Sequence, residues 1–376
     1  MKLEKSFLWL GGVFDEKTVS RYPAVSPAAN FWQRGFVEAL IDNNQSVHVI
    51  GHTAERMWPF GRLIVSASGA SFPSKFTGQA VGYLNIPRLR GAVQYANYLR
   101  LALAHIEKTR LPDVVVTFSC LFNSNQLTPD IRTAKHLQKR YGIPWINVIA
   151  DGVAPLGADG YVYQRWSDYC SKESFKSKLH LDGGVPSVKN LGAYKKSKNI
   201  KAFMYMGALT AHGGVTFLAR SFTKLIDSDV ELWVCGRGEN EELQLIANRD
   251  KRIKVFGYVS EERLNDLANT AYAFVNPRPS DFAPNKHNYP SKLLHYLAYG
   301  KPVISTWSDG LSPDYADCLV EVEDETEEGL MYAIKVALNL RTDQINSMSD
   351  KIESFNRNHS WSYQIKRFLT WLEDQE

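Results

Sequence analysis

The sequence is poor in the features that announce several protein classes. Its four cysteines, Cys120, Cys170, Cys235 and Cys318, lie far apart in 376 residues and repeat no metal or redox spacing. That excludes a disulfide scaffold or a zinc ribbon and leaves buried, reduced thiols as the expectation. No apolar run approaches the ~18–20 residues that cross a bilayer as a helix. The start, Met1-Lys-Leu-Glu-Lys-Ser, leads straight into a strand-like run without the layout of a secretion signal, so a cytoplasmic protein is expected. Basic residues are not interleaved with aromatics and no nucleic-acid motif is present, so nucleic acid is not expected as a partner. Asp227-Ser-Asp229 and Glu323-Asp-Glu325 resemble acidic metal motifs only superficially and read as turns and solvated charge. Neither a metal nor a cofactor is expected.

What is present points to a two-domain α/β protein. The length suits two domains of ordinary size, and 44% hydrophobic residues can fill both cores. Charge is unevenly divided. Residues 1–190 hold 22 Lys and Arg against 14 Asp and Glu, a balance of +8, and the remainder holds 22 against 26, or −4. A basic first half could rest on an anionic lipid surface, as peripheral contact with the inner face of a cell membrane; the bland reading is solvated charge. Arg88-Leu-Arg90 and Trp58-Pro-Phe60 are the local candidates for such contact.

Short apolar runs alternate with helical patterns throughout. Ser6–Leu10, Ser46–Ile50, Asp113–Phe118 and Trp145–Ala150 read as strands, with helices over Ala28–Asp42, Ala92–Lys108 and Asp130–Tyr141. Strands near Ala202–Met206, Glu231–Cys235, Lys254–Phe256, Ala273–Asn276 and Pro302–Ser305 repeat the scheme, with a helix over Glu261–Asn269. Such alternation predicts two doubly wound parallel sheets, Rossmann-like domains facing across a cleft at the carboxyl ends of their strands. The polar stretch Pro186–Asn199 reads as the hinge. Domains are therefore expected over residues 1–190 and 191–355. Apolar residues at helical spacing over Ser362–Glu373 predict a last amphipathic helix, within a tail of residues 356–376.

The most informative segment is Tyr289 to Ser305, Y-P-S-K-L-L-H-Y-L-A-Y-G-K-P-V-I-S. Pro290 suits the first position of a helix. The N–H groups of Ser291 and Lys292 would then lie unpaired in the first turn, ready for an anion. Leu293, Leu294, Leu297 and Ala298 form the apolar stripe, while Lys292, His295 and Tyr299 share the other face. Gly300 marks the stop. A positive helix end with a lysine beside it, pointing out of a sheet, is a phosphate site.

This segment, with Asn276-Pro-Arg-Pro279 before it, resembles the nucleotide-sugar motif of family 4 glycosyltransferases, retaining enzymes of the GT-B fold. It is most similar to the branch of bacterial polysaccharide assembly. Weaker resemblance covers most of the chain, including Phe7-Leu-Trp-Leu-Gly-Gly12 and Gly236-Arg-Gly-Glu239. The resemblance implies a metal-independent transfer of a sugar from a nucleoside-diphosphate sugar to a glycan or polyprenyl-linked acceptor. It also implies that the last helix packs back toward the N-terminal domain.

A departing diphosphate gathers negative charge, so such a reaction needs cations and N–H groups around the phosphates. Arg278 follows a strand, and its planar fork suits phosphate oxygens; with Lys292 it could hold the leaving group. Two departures from the resembled pattern matter. Ala208 and Gly213 stand where many relatives carry an arginine and a lysine, though Gly213 and Gly214 could let backbone approach a phosphate. His287 and His295 stand in place of two glutamates, the second of which binds ribose. Asp281 could replace the first, and Tyr258 sits where relatives hold the base. In the first domain Gly11 and Gly12 end a strand beside the donor or acceptor, Asp151 could orient an acceptor hydroxyl, and Asn123 and Asn125 could line the same pocket. His52 reads as structural. The alternative is a non-catalytic GT-B partner of another glycosyltransferase, suggested by the two histidines and the missing cation pair.

Overall fold

The computed structural model describes residues 4–171, 177–187, 200–280, 282, 285–286 and 288–375. The chain divides into two compact units. The first comprises Met1–Gln164, Asp168–Gly184 and Trp361–Glu376; the second comprises Arg165–Ser167 and Val185–Ser360. Most of the stretch read as a hinge, residues 188–199, lies outside the described residues.

The first unit contains β1 (Ser6–Leu10), β2 (Ser46–Gly51), β3 (Ile64–Val65), β4 (Thr77–Ala80), β5 (Tyr83–Leu84), β6 (Val114–Leu121), β7 (Trp145–Gly152), β8 (Gly160–Tyr163) and β9 (Lys178–His180). Seven of these form one sheet in the order β4-β2-β1-β6-β7-β8-β9, and β3 pairs with β5 apart from it. Every pairing in the large sheet is parallel. Parallel strands covered on both faces need apolar residues at successive positions, and β1 supplies them: Phe7, Leu8, Trp9 and Leu10 are all buried. Phe7 and Trp9 meet the helices Pro27–Asp42 and Trp361–Glu373 on one face. Leu8 and Leu10 meet Arg90–Lys108 and Pro129–Tyr141 on the other.

The last helix belongs to this unit. Ile365, Phe368, Leu369 and Leu372 are buried in the core of the first sheet, and the Phe368 ring stands edge-on to Phe36 at 4.9 Å. Gly35 and Gly184 make room for the Trp361 indole, which a Cβ at either position would strike. At roughly 1.5–3 kcal/mol for each large apolar side chain removed from water, these four residues contribute as much as a typical domain's whole net stability.

The second unit contains β10 (Lys201–Met206), β11 (Val230–Cys235), β12 (Ile253–Gly257), β13 (Ala273–Asn276), β14 (Val303–Ser305) and β15 (Leu319–Glu321), all parallel in the order β12-β11-β10-β13-β14-β15. Helices Val215–Thr223 and Glu327–Leu338 cover one face. Helices Glu261–Thr270, Lys292–Leu297 and Thr342–Asn358 cover the other.

The thiols divide in a way composition did not indicate. Cys235 and Cys318 are buried, but Cys120 and Cys170 are exposed, the first past a register irregularity at the end of β6 and the second at the end of the short helix Trp166–Cys170.

Candidate active site

In each sheet the chain builds outward from its first strand to one side and then to the other. The switch lies between β1 and β6 in the first unit and between β10 and β13 in the second. Loops leaving the carboxyl ends of strands diverge there, which opens a crevice for a ligand.

In the second unit that crevice holds Lys292 and Arg278. The Lys292 amine donates to the Tyr205 hydroxyl at 2.9 Å and lies 4.4 Å from the centre of that ring. Tyr205, near the end of β10, in turn donates to the Ala208 carbonyl at 2.7 Å. Lys292 makes no ion pair among the described residues. Burial, and then the charge of Arg278, push its pKa from the ordinary 10.5 down to about 7. Arg278 follows β13 and stands between two prolines, which favours extended backbone. Its carbonyl accepts from the Thr306 hydroxyl at 2.6 Å, which fixes the loop. Its guanidinium donates to His212 Nε2 at 3.1 Å.

His212 was missed in the sequence. It lies on the loop after β10, 66 residues from Arg278, and no local pattern links the two. His212 Nδ1 is 2.8 Å from Asn285 Oδ1, and buried Asn285 donates back to the carbonyls of His212 at 3.0 Å and Pro279 at 2.8 Å. With Nδ1–H donating to Asn285, Nε2 is left to accept from Arg278. The imidazole therefore acts as a positioning group for the arginine. Glu325, read as solvated charge, accepts the Ser280 N–H at 2.6 Å and pins the same loop.

Several expectations change. The helix runs Lys292–Leu297, so Pro290 precedes its cap instead of opening it, and Ser291 occupies the cap position. The Ser291 N–H donates to the Tyr289 carbonyl at 3.1 Å in a tight turn, and so is not a free anion donor. Tyr299 leaves the shared face, packing in the core and donating to Asn265 at 2.6 Å. His295 stays on the helix with its pKa pushed down to about 4, by burial and not by the neighbouring lysine. Lys301 of the same motif is spent elsewhere: its amine caps the end of Glu261–Thr270 through the carbonyls of Ala268, Asn269 and Ala271 at 2.6–2.9 Å. Asp281 and His287 lie outside the described residues.

The glycines are used for packing. Gly213 N–H donates to Thr210 and Gly214 N–H to Ala211. Gly214 has φ +73°, and a Cβ on it would strike the Pro277 carbonyl. Beyond these glycines, no side chain caps the first N–H groups of Val215–Thr223. Gly236, after β11, packs against the Gly207 carbonyl after β10 and donates to the carbonyl of Gly257, the last residue of β12, at 2.9 Å. Tyr258 beyond it is 70% exposed, with the Arg237 guanidinium 4.0 Å from its ring centre. One aromatic face is thus covered by a cation.

In the first unit, the switch between β1 and β6 opens a cavity of about 140 Å³ whose lining includes Gly11, Gly12, His52, Ser119, Cys120 and Asp130. The Gly11 N–H is spent on the Ile50 carbonyl, and the space a Cβ would need is taken by Gln33 and Trp9. Asp130 was read only as the start of a helix. Here it is buried, with its pKa raised to about 6 by that burial. His52 Nδ1 lies 2.8 Å from the buried Tyr98 hydroxyl. Asp151, next to last in β7, lies opposite Cys120 and is exposed. Asn123 and Asn125 do not line the cavity; they form an exposed turn in which Asn123 Oδ1 accepts the Asn125 N–H at 2.8 Å.

Residues 200–339, which contain the Lys292–Arg278 crevice, match the family model described as glycosyl transferases group 1. No curated protein matches the chain. A glycosyltransferase from Rickettsia africae is similar in structure, with a TM-score of 0.71 at 14% identity over 99% of this chain and 98% of that one. The sucrose-phosphate synthase of Thermosynechococcus elongatus gives 0.65 at 13%, over 99% and 100%. HepE of Anabaena, solved with UDP and glucose, gives 0.64 at 10%, over 99% and 100%. The chain has the GT-B fold of two Rossmann-like domains, and its second unit carries the glycosyl transferases group 1 match, which together support glycosyl transfer as the activity class.

Proposed function

We propose that this protein is a retaining, family 4 glycosyltransferase of bacterial polysaccharide assembly, moving a sugar from a nucleoside diphosphate to a glycan or polyprenyl-linked acceptor. The observation that carries this reading is the pairing of Lys292 with Arg278 at the β10/β13 switch, where Lys292 has no carboxylate partner among the described residues. Two cations held close together repel each other, and a dianionic ligand relieves that repulsion. Bond breaking at the sugar leaves charge on the diphosphate, and a preorganised arginine and lysine stabilise it without needing a metal. His295, kept neutral, would bond a ribose hydroxyl through one ring nitrogen, and Tyr258 would meet the base. In the first unit Asp151, or the buried Asp130, would orient the acceptor hydroxyl. The enzyme would work in the cytoplasm, in peripheral contact with the membrane that bears its acceptor.

Thermal-shift titration of the full chain with UDP, GDP, ADP and TDP tests the donor site. One of them at 100 times its dissociation constant should stabilise the fold by roughly 2.7 kcal/mol. Arg278→Ala should weaken that ligand by roughly 1.5–3 kcal/mol, the loss of one charge-assisted contact. If no nucleoside diphosphate shifts the melt, or Arg278→Ala binds like the parent, the proposed donor site is wrong.

A further inference from the structure

The first unit carries a surface that glycosyl transfer itself does not use. Between Asp42 and Glu107 the chain has six Lys and Arg and one acid, Glu55. The fold gathers part of this basic stretch into one face. Buried Asn85 donates to the carbonyls of Arg56 at 2.6 Å and Arg62 at 2.8 Å, and Trp58 N–H donates back to the Asn85 carbonyl at 3.3 Å. The loop after β2 is thereby stitched to the segment after β5. Glu55 is taken up internally: its carboxylate meets Arg62 at 3.5 Å and its carbonyl accepts from Arg90 at 3.0 Å.

On this platform Phe60 is 84% and Ile64 68% exposed, with Trp58 and Leu89 about half exposed beside them. Arg56 and Arg88, on the same two segments, are exposed and form no ion pair among the described residues. Such a cluster of large apolar tips is unusual on a protein surface that meets only water. An aromatic pair with arginines, in a stretch whose one acid, Glu55, is paired with Arg62, matches the two layers of an anionic bilayer surface, apolar below and negative above. The loop after β2 also leaves the carboxyl edge of the sheet, the edge where Gly11, Gly12 and His52 line the cavity.

We infer that the Trp58–Ile64 loop and the Arg88–Leu89 turn dock this protein on anionic lipid, with Phe60 and Trp58 in the headgroup layer and Arg56 and Arg88 on lipid phosphates. The inference rests on the reading that the acceptor is lipid-linked, since docking there brings a membrane-borne acceptor to the carboxyl edge of the first sheet.

The test is sedimentation of the full chain with vesicles of phosphatidylcholine, with and without one quarter phosphatidylglycerol. Binding should require the anionic lipid and should weaken with added salt. Arg56→Gln with Arg88→Asn should weaken it about 25-fold, at about 1 kcal/mol for each arginine; asparagine suits the φ of +68° at Arg88. Phe60→Ser should weaken it roughly tenfold or more. Ile226→Ser and Arg341→Gln, exposed positions of the second unit, should change nothing. Equal binding to neutral vesicles, or patch variants that bind like the parent, would overturn the proposal. So would absence of vesicle binding together with self-association that Phe60→Ser abolishes, an outcome that assigns the patch to a protein partner. Nucleoside-diphosphate titration of the same variants separates the two readings. Lost lipid binding with intact nucleotide binding supports the surface, whereas a parent that binds lipid but no nucleotide leaves the surface standing and removes the donor site.

Discussion

Lys292 allows the donor site to be tested by counting protons. Burial and Arg278 bring its pKa from 10.5 to about 7. That drop corresponds to roughly 4–5 kcal/mol between protonation states, trimmed by the solvent that reaches the amine. At pH 8 only about a tenth of the free protein carries this proton. A diphosphate seated against the amine favours the charged form and returns the pKa toward its ordinary value. Binding at pH 8 should therefore take up nearly one proton, about 0.9. The terminal phosphate of a nucleoside diphosphate is already ionised there and does not blur the count. The assay is calorimetry of nucleotide binding at pH 8 in buffers of different ionisation enthalpy, where the slope of observed heat against buffer enthalpy gives the protons taken up. Affinity should also fall as pH rises above 7, by up to about tenfold per unit. Lys292→Met should bind more weakly and lose the buffer dependence. A parent with no buffer dependence, or a methionine variant that keeps it, would refute the assignment of Lys292 to the ligand.

Phe368→Ala should cost about 3–5 kcal/mol of first-unit stability, measured by denaturant titration, because its ring fills the core beside Phe36; a loss below 1 kcal/mol would mean the last helix is not packed there. Gly214→Ala forces a left-handed residue with a Cβ into the Pro277 carbonyl, so it should lose about 1–3 kcal/mol in the second unit and weaken nucleotide binding through the shifted Arg278 loop; an unchanged melt and affinity would contradict this. His48, His52 and His295 are each held near pKa 4. Between pH 6.5 and 4 the unfolded chain binds more protons at these sites than the native one, so stability is lost as pH falls through that window, by up to about 1.4 kcal/mol per unit for each histidine. Asp130, raised to about 6, opposes this below pH 6, and melting at pH 7 and 4.5 gives the balance.

Much of the architecture could be read from residues because parallel strands covered on both faces leave apolar runs. The strands Ser6–Leu10 and Ala273–Asn276 fall where the runs predict, and both are central in their sheets. The edges were silent. Thr77-Gly-Gln-Ala80 forms an edge strand beside β2 with almost no apolar signal, and Lys178–His180 is too short to show a period. The Tyr289–Ser305 motif located the lysine of the site, but one of the two N–H groups expected to meet an anion, that of Ser291, is taken by the Tyr289 carbonyl. The sequence pattern could not show that Tyr289 and Ser291 close a turn that consumes an N–H. Gly213 and Gly214 looked like phosphate-binding glycines, yet their smallness admits neighbouring backbone. His212 and Asp130 could not be found at all, because their significance comes from burial and from partners distant along the chain.

The central claim is that the crevice of Lys292 and Arg278 holds the diphosphate of a sugar donor that the enzyme then consumes. Release of nucleoside diphosphate from UDP-, GDP-, ADP- and TDP-linked sugars, followed with and without lipid extract as acceptor, tests it most directly. The account predicts turnover of one donor class, increased by acceptor, retained in the presence of a chelator and lost in Arg278→Ala and Lys292→Met. A folded parent that turns over none of these donors, while still binding a nucleoside diphosphate, would contradict it and identify the chain as a non-catalytic member of its fold.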